Sequence, residues 1–322
     1  MSDKKQTNTP IAIGISSCLL GEKVRFDTGH KNNDYITKTL SQYFQFRGFC
    51  PEVSIGLGIP REPIRLVTDT IDGEVRCIGT KTPELDVTDK LTQCGKDQLD
   101  WVKTLSGYIF KKDSPSCGME RVKVYYKNNP KRNGVGLFAS VITQHCPNLP
   151  TEEEGRLGDA MLRENFIKRV FLYHRWQQLI GSNPSKKQLV RFHAQHKLIY
   201  MSHNQSKTRK LGQLVAKIGE FEQNDYCEQY LQQVTDILSK PATRKNNTNV
   251  LKHIQGYLKR QLDTDDKQEL EETIEQYRTG LVPLIVPITI LKHHFRKFPD
   301  QYIDDSLYMQ PHPQELMLRN QL

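Results

Sequence analysis

The feature that most constrains this chain is a change of hydrophobic period near residue 157. Upstream of it, short β-branched or aromatic runs alternate with helical stretches. Downstream, only stripes with the 3.6-residue spacing of a helix appear. Ile11–Ile15 reads as a buried strand that ends at Ser16-Ser17-Cys18. A helical stretch is expected near Asp34–Tyr43 and a strand at Phe46–Cys50. Further strands are expected at Ile64–Val67 and Glu74–Ile78, on either side of the Asp72-Gly73 turn signal. Between Asp86 and Leu105 apolar residues recur every three or four positions, which predicts a helix, and Tyr108–Phe110 reads as another strand. This alternation predicts an α/β first domain on a doubly wound, mostly parallel sheet. Pro147–Glu154 reads as a connecting segment. Beyond it come a long helix over Leu157–Ile180, a face of Leu189, Phe192, His196, Ile199 and His203, and stripes at Leu211–Ile218, Val250–Leu258, Glu269–Tyr277 and Leu284–Phe298. These predict a second, all-α domain of about five to seven helices. The boundary is drawn between residues 165 and 166, giving domains 1–165 and 166–322.

A membrane helix needs roughly 20 apolar residues. The longest apolar run, Leu281–Ile290, is interrupted by Pro283 and Pro287, so no transmembrane span is expected. The polar start MSDKKQTNTP lacks the apolar centre of a signal peptide, and the expected location is the cytoplasm. The seven cysteines show no dense framework of the kind that holds small secreted domains together. In a reducing compartment they are free to act as thiolates or metal ligands. The net charge of +9 is unevenly spread. Residues 1–165 carry 23 Lys and Arg against 21 Asp and Glu, whereas residues 166–322 carry 23 against 16. A basic second half fits a polyanionic partner such as RNA, and equally a solubilising surface.

Three cysteines share a setting. Cys18, Cys50 and Cys117 each follow an expected strand, in Ser16-Ser17-Cys18-Leu19-Leu20-Gly21, Phe49-Cys50-Pro51-Glu52 and Ser114-Pro115-Ser116-Cys117-Gly118. In an open parallel sheet the strand ends converge on one edge, where ligands bind. Three soft thiolates there suit zinc or an iron–sulfur cluster, of the 4Fe-4S or 3Fe-4S type. The plainer reading is three small buried residues. A 4Fe-4S cluster on three ligands leaves one iron open to substrate, whereas structural zinc takes a fourth ligand, commonly at short Cys-x₂₋₄-Cys spacing, which does not occur here. Cys77 and Cys94 read as core, and Cys146 and Cys227 carry no pattern. His193, His196 and His203 lack an acidic companion and read as hydrogen-bonded core residues.

At these motifs the first domain resembles the thiouracil desulfidase family. The resemblance rests on Ser16–Gly21, Cys50-Pro51-Glu52, Pro60-Arg61-Glu62-Pro63-Ile64-Arg65-Leu66, Lys112–Gly118 and Glu153-Glu154-Gly155-Arg156-Leu157. The second half looks like the helical domain of unknown function that often follows it, through Phe192–Lys197, Asn249–Lys259 and Val282-Pro283-Leu284. The two-domain arrangement is similar to that of bacterial tRNA 4-thiouridine desulfidases. The resemblance implies a 4Fe-4S cluster on Cys18, Cys50 and Cys117, with Glu52 and Ser114 as catalytic helpers. It further implies a thiolated nucleobase as substrate, with tRNA as its carrier and uridine and hydrosulfide as products. Two other readings stay open: a desulfidase of free thiouracil-type bases, and an RNA-binding protein whose cluster is structural or redox-sensing. For the basic domain, Lys252, Lys259 and Arg260 are the expected RNA contacts, with Lys252 and Lys259 seven residues apart on one helix face.

Overall fold

The computed structural model describes residues 10–70, 73–127 and 129–322. Asp72, half of the expected turn signal, lies outside the described residues. The chain divides into two compact units between Gly158 and Asp159, upstream of the expected boundary.

The first unit contains β1 (Ile11–Ser16), β2 (Phe44–Phe49), α1 (Pro51–Ser54), β3 (Ile64–Val67), β4 (Arg76–Gly79), α2 (Thr88–Asp97), α3 (Leu99–Lys103), β5 (Gly107–Phe110), β6 (Val122–Tyr126), β7 (Asn129–Gly134), α4 (Leu137–His145) and β8 (Thr151–Glu153). β2, β1, β5 and β8 form one sheet in that order, with every pair parallel. β1 and β5 are buried almost end to end, as strands covered on both faces must be. The chain runs outward from β1 to β2, then returns past β1 to β5. This reversal puts the topological switch point between β1 and β5. The unit is therefore α/β and doubly wound, as expected.

The periodicity did not reveal a second sheet. β4, β3, β6 and β7 form it, with β3–β4 and β6–β7 antiparallel and β3–β6 parallel. Leu66, Cys77, Val122 and Val124 supply its core. β7, Asn-Pro-Lys-Arg-Asn-Gly, has Pro130 as its single hydrocarbon side chain and is exposed along all but its last residue, so no hydrophobic pattern marks it. The stretch near Asp34–Tyr43 is helical as expected, a π turn over Tyr35–Thr39 followed by a 3-10 turn over Leu40–Gln42. Two local expectations need correction. Pro147–Glu154 is not only a connector, since β8 lies within it; three residues are too few to show a period. The expected helix over Asp86–Leu105 is two helices, α2 and α3, meeting at Gln98.

The second unit is all-α: α5 (Ala160–Gly181), α6 (Lys186–His203), α7 (Gln205–Ala216), α8 (Gln223–Leu238), α9 (Arg244–Gln255), α10 (Thr264–Thr279), α11 (Ile285–Lys297) and the short α12 (Gln301–Asp305). Asp159 caps α5 by accepting from the N–H groups of Met161 and Leu162. Ser185 and Gln188 close a reciprocal capping box on α6. One apolar cluster joins these helices, with Trp176 stacked on Tyr230 at its centre. His196 donates from Nδ1 to the Phe192 carbonyl at 2.8 Å, and His203 to the Lys240 carbonyl at 2.7 Å. His193 meets the Tyr230 hydroxyl at 3.3 Å. The three are buried, hydrogen-bonded core histidines, as their sequence setting suggested. Among the described residues, no helix is long and apolar enough to cross a membrane.

Candidate active site at the switch edge

β1, β2 and β5 are mutually parallel, so their C-terminal ends share one edge. Cys18 lies in the 3-10 turn after β1, Cys50 directly follows β2, and Cys117 lies in the loop after β5. All three line one cavity of about 250 Å³, together with Glu52, Ser114 and Ser116. Ser16, Arg25, Phe26, Arg61, Lys111 and Lys112 complete much of its wall. The sequence-derived cysteines and both proposed helpers are thus brought together.

Local folding fixes each part. Pro51 opens α1, where its missing N–H costs nothing, and Glu52 follows in the same first turn. Arg61 grips Glu52 Oε2 with Nε at 2.9 Å and a terminal nitrogen at 2.5 Å. The Ser116 hydroxyl donates to Oε1 of the same carboxylate at 2.7 Å. The Ser114 and Ser116 hydroxyls are 2.9 Å apart. With Ser116 donating to Glu52, Ser114 donates to Ser116, and a chain Ser114–Ser116–Glu52 results. The Ser114 oxygen also accepts from the N–H groups of Ser116 and Cys117, at 3.3 and 3.1 Å. Glu52 is therefore both a cavity residue and the partner of Arg61, and Ser114 is both a cavity residue and the cap of its turn.

The Cys117 loop sits on the first turn of α4. The N–H groups of Gly136, Leu137 and Ala139 donate to the carbonyls of Gly118, Pro115 and Ser116 at 2.7, 3.1 and 3.1 Å. These helix-start donors would otherwise lack partners. A Cβ on Gly136 would come within 2.5 Å of the Ser116 backbone, so only glycine lets the helix approach this closely. From β8 onward, Glu154 accepts from Lys111 Nζ at 2.5 Å and from the Lys112 N–H at 2.7 Å. Glu153 accepts from the Met119 N–H at 2.8 Å. The Glu153-Glu154 motif thus fastens both ends of the Cys117 loop.

The donor set matches a cationic cluster. Burial pushes the Cys18 thiol up to about 11, against the pull of the Lys111 ammonium, and the neighbouring Cys50 pushes it further the same way. Burial also raises Cys50 and Cys117, and Cys117 is raised again by Glu52 and Cys50, while the Ser16 hydroxyl hydrogen-bonds it and acts downward. Three thiolates in such a place require a positive charge among them. Among the described residues the cavity wall holds these three cysteines and no histidine, a soft donor set that suits an iron–sulfur centre. Cys77 and Cys94 are buried as core.

Ser116 is the functional-site residue that sequence reasoning passed over. It shares a motif with Ser114, and no local signal tells which hydroxyl meets Glu52. In the second unit, Lys252, Lys259 and Arg260 are all exposed, but α9 ends at Gln255 and a 3-10 turn covers Gly256–Leu258. The expected common helix face of Lys252 and Lys259 is not formed, because the helix stops between them.

Comparison with known proteins follows this division. Residues 13–154 match the family model described as 2-thiouracil desulfurase, and residues 197–313 match that of a protein of unknown function (DUF1722). The protein thus pairs an α/β unit of cysteine-lined switch edge, carrying the desulfurase match, with a helical unit. It is 35% identical over 158 residues to the uncharacterized protein YbgA of Escherichia coli (strain K12), which spans 49% of this chain and 94% of YbgA. The chain belongs to the family that includes YbgA. It is also 28% identical over 148 residues to the uncharacterized protein YbbK of Bacillus subtilis (strain 168), spanning 44% of this chain and 96% of YbbK. A solved structure of a 4Fe-4S-dependent thiouracil desulfidase, TudS, aligns with a TM-score of 0.36 at 25% identity, over 46% of this chain and 93% of that one.

Proposed function

We propose that this protein is an iron–sulfur-dependent desulfidase of thiouracil-type bases, with 4-thiouridine in tRNA as its substrate. The observation that carries the chemistry is the single cavity that holds Cys18, Cys50 and Cys117 beside Glu52. The desulfurase match over residues 13–154 points the same way. Cys18, Cys50 and Cys117 would hold a 4Fe-4S cluster. When bound, the cluster supplies an open iron with affinity for a thiocarbonyl sulfur, which makes the ring carbon more electrophilic.

The chain's own residues do the rest. Arg61 and Ser116 hold the Glu52 carboxylate in one orientation, so its remaining lone pairs face the cavity rather than rotating freely. Glu52 takes the proton of a water as its oxygen attacks the ring carbon. The carbon–sulfur bond breaks, sulfur departs as hydrosulfide, and a carbonyl replaces the thiocarbonyl. Water supplies the oxygen and no electrons are exchanged with another reagent. Ser114 keeps Ser116 aimed at Glu52 and keeps the Cys117 turn closed. Lys112, at the wall of the cavity, adds positive charge where a phosphate-bearing substrate enters and hydrosulfide leaves.

The basic charge of the second half supports an RNA substrate, with Lys252, Lys259 and Arg260 among its exposed cations. A free thiouracil base is the second reading, favoured by the match to a 2-thiouracil desulfurase. The deciding experiment is anaerobic purification with iron and sulfide analysis, followed by mass spectrometry of nucleosides from 4-thiouridine-containing tRNA treated with the protein. Conversion to uridine with hydrosulfide release supports the reading. Conversion of free thiouracil alone assigns the second. RNA binding without hydrosulfide release assigns a structural or sensing role to the cluster.

A further inference from the structure

The helical unit carries an ordered set of ligand-type side chains apart from everything used above. Asp266 and Glu269 lie three residues apart on the first turns of α10, hence on one face. His294 comes from the last turn of α11, which packs against α10. One atom from each of the three lies within 4.8 Å of the other two. Two carboxylates near a helix start are common without any ion, because they complement the helix dipole. His294 has no such explanation. Its side chain is 2% exposed, and neither ring nitrogen has a hydrogen-bond partner. Buried imidazoles elsewhere in this unit are each engaged, His193, His196 and His203 among them. Leaving two buried ring nitrogens unpaired is costly, and native proteins rarely tolerate it. The two carboxylates, for their part, make no ion pair among the described residues, although lysines and arginines abound in this unit.

We propose that Asp266, Glu269 and His294 bind one first-row divalent transition metal of the zinc class, linking α10 to α11. An imidazole nitrogen with two carboxylate oxygens is a donor set for zinc or manganese, and a poor one for calcium or magnesium, which take oxygen alone. The metal accepts a ring nitrogen that nothing else in the protein satisfies, and its two charges balance the two carboxylates. Three protein ligands leave a position for water. The site uses no sulfur and is independent of the three cysteines of the first unit.

The test uses the full-length protein with its cluster in place. Metal is removed by dialysis against a mild chelator, zinc chloride is added back, and bound zinc is counted by inductively coupled plasma mass spectrometry after desalting. Asp266→Asn/Glu269→Gln is the first comparison, since both residues lie at the rim and the change keeps their shape. His294→Ala is the second, with far-UV circular dichroism to check folding. The wild-type chain is expected to retain one zinc more per chain than Asp266→Asn/Glu269→Gln, and to show a rise in melting temperature on zinc addition that this variant lacks. Equal zinc content and an equal thermal response in the two proteins overturn the proposal. If His294→Ala does not fold, the rim variant alone decides.

Discussion

At the scale of single residues, the site is organised around one carboxylate. Arg61 and Ser116 hold opposite oxygens of Glu52, so each substitution has a distinct expected result. Glu52→Gln is expected to keep iron and sulfide at wild-type levels while lowering turnover by about 10²–10⁴-fold, the usual effect of a positioned base. Ser116→Ala removes one orienting hydrogen bond, about 1–3 kcal/mol for a buried group, and is expected to cost roughly 10–100-fold in turnover. Cluster analysis alongside kinetics separates these outcomes; loss of iron in Glu52→Gln would make the residue structural instead. The cysteines were legible in the sequence because a strand followed by a cysteine and a stiff Pro or Gly is a local pattern, whereas Glu52 and Ser114 were marked only by the resemblance to the thiouracil desulfidase family. Ser116 was not assigned its part, because its effect arises from a fold that closes 64 residues of chain onto one carboxylate.

At the scale of elements, α4 and α6 carry opposite lessons. α4 was absent from the sequence reading, yet its first turn seats the Cys117 loop. Gly136→Ala forces a methyl against the Ser116 backbone, a clash of the kind that costs about 1–3 kcal/mol in a packed interior. It is expected to lower iron content per chain and the melting temperature of the first unit, both measurable on the anaerobic protein. α6 was legible from its stripe, and it has a consequence for acid stability. Burial lowers His193 to about 4 and His196 and His203 to about 3. In the unfolded chain each takes a proton near pH 6.5. Between pH 6.5 and about 4 the unfolded state therefore binds more protons than the folded one, and stability falls as pH falls. Each histidine contributes about 1.4 kcal/mol per pH unit over that window, so the three together contribute about 4 kcal/mol per unit. Melting of the helical signal at pH 7, 6 and 5 is expected to drop steeply, and replacing His196 with Gln to flatten the slope by about a third.

At the scale of the whole molecule, chemistry and charge are divided along the chain. Cys18, Cys50, Cys117, Glu52 and Ser114 belong to the first unit, whereas most of the positive excess belongs to the second. Binding of tRNA is expected to weaken with salt, with a slope of log affinity against log salt near −3 to −4 if about four phosphates are contacted. Reversing Lys252, Lys259 and Arg260 to Glu is expected to flatten that slope by up to about three units while leaving desulfuration of free thiouracil unchanged. An unaltered slope would move the RNA contacts to other cations of this unit. The alternation of elements made the α/β class readable from sequence. The second sheet was hidden because one of its edges, β7, carries no hydrophobic alternation.

That polar edge governs how copies of the protein meet. An outer strand normally offers its unpaired backbone to any strand that comes near. Here an approaching copy encounters Pro130, which has no N–H to give, and the cations Lys131 and Arg132, which repel their own kind across the junction. The second sheet can therefore keep a free margin without that margin becoming a seed for fibres. Changing Lys131 to Thr and Arg132 to Val should remove that protection, and light scattering of concentrated protein should then rise with time while the parent stays clear.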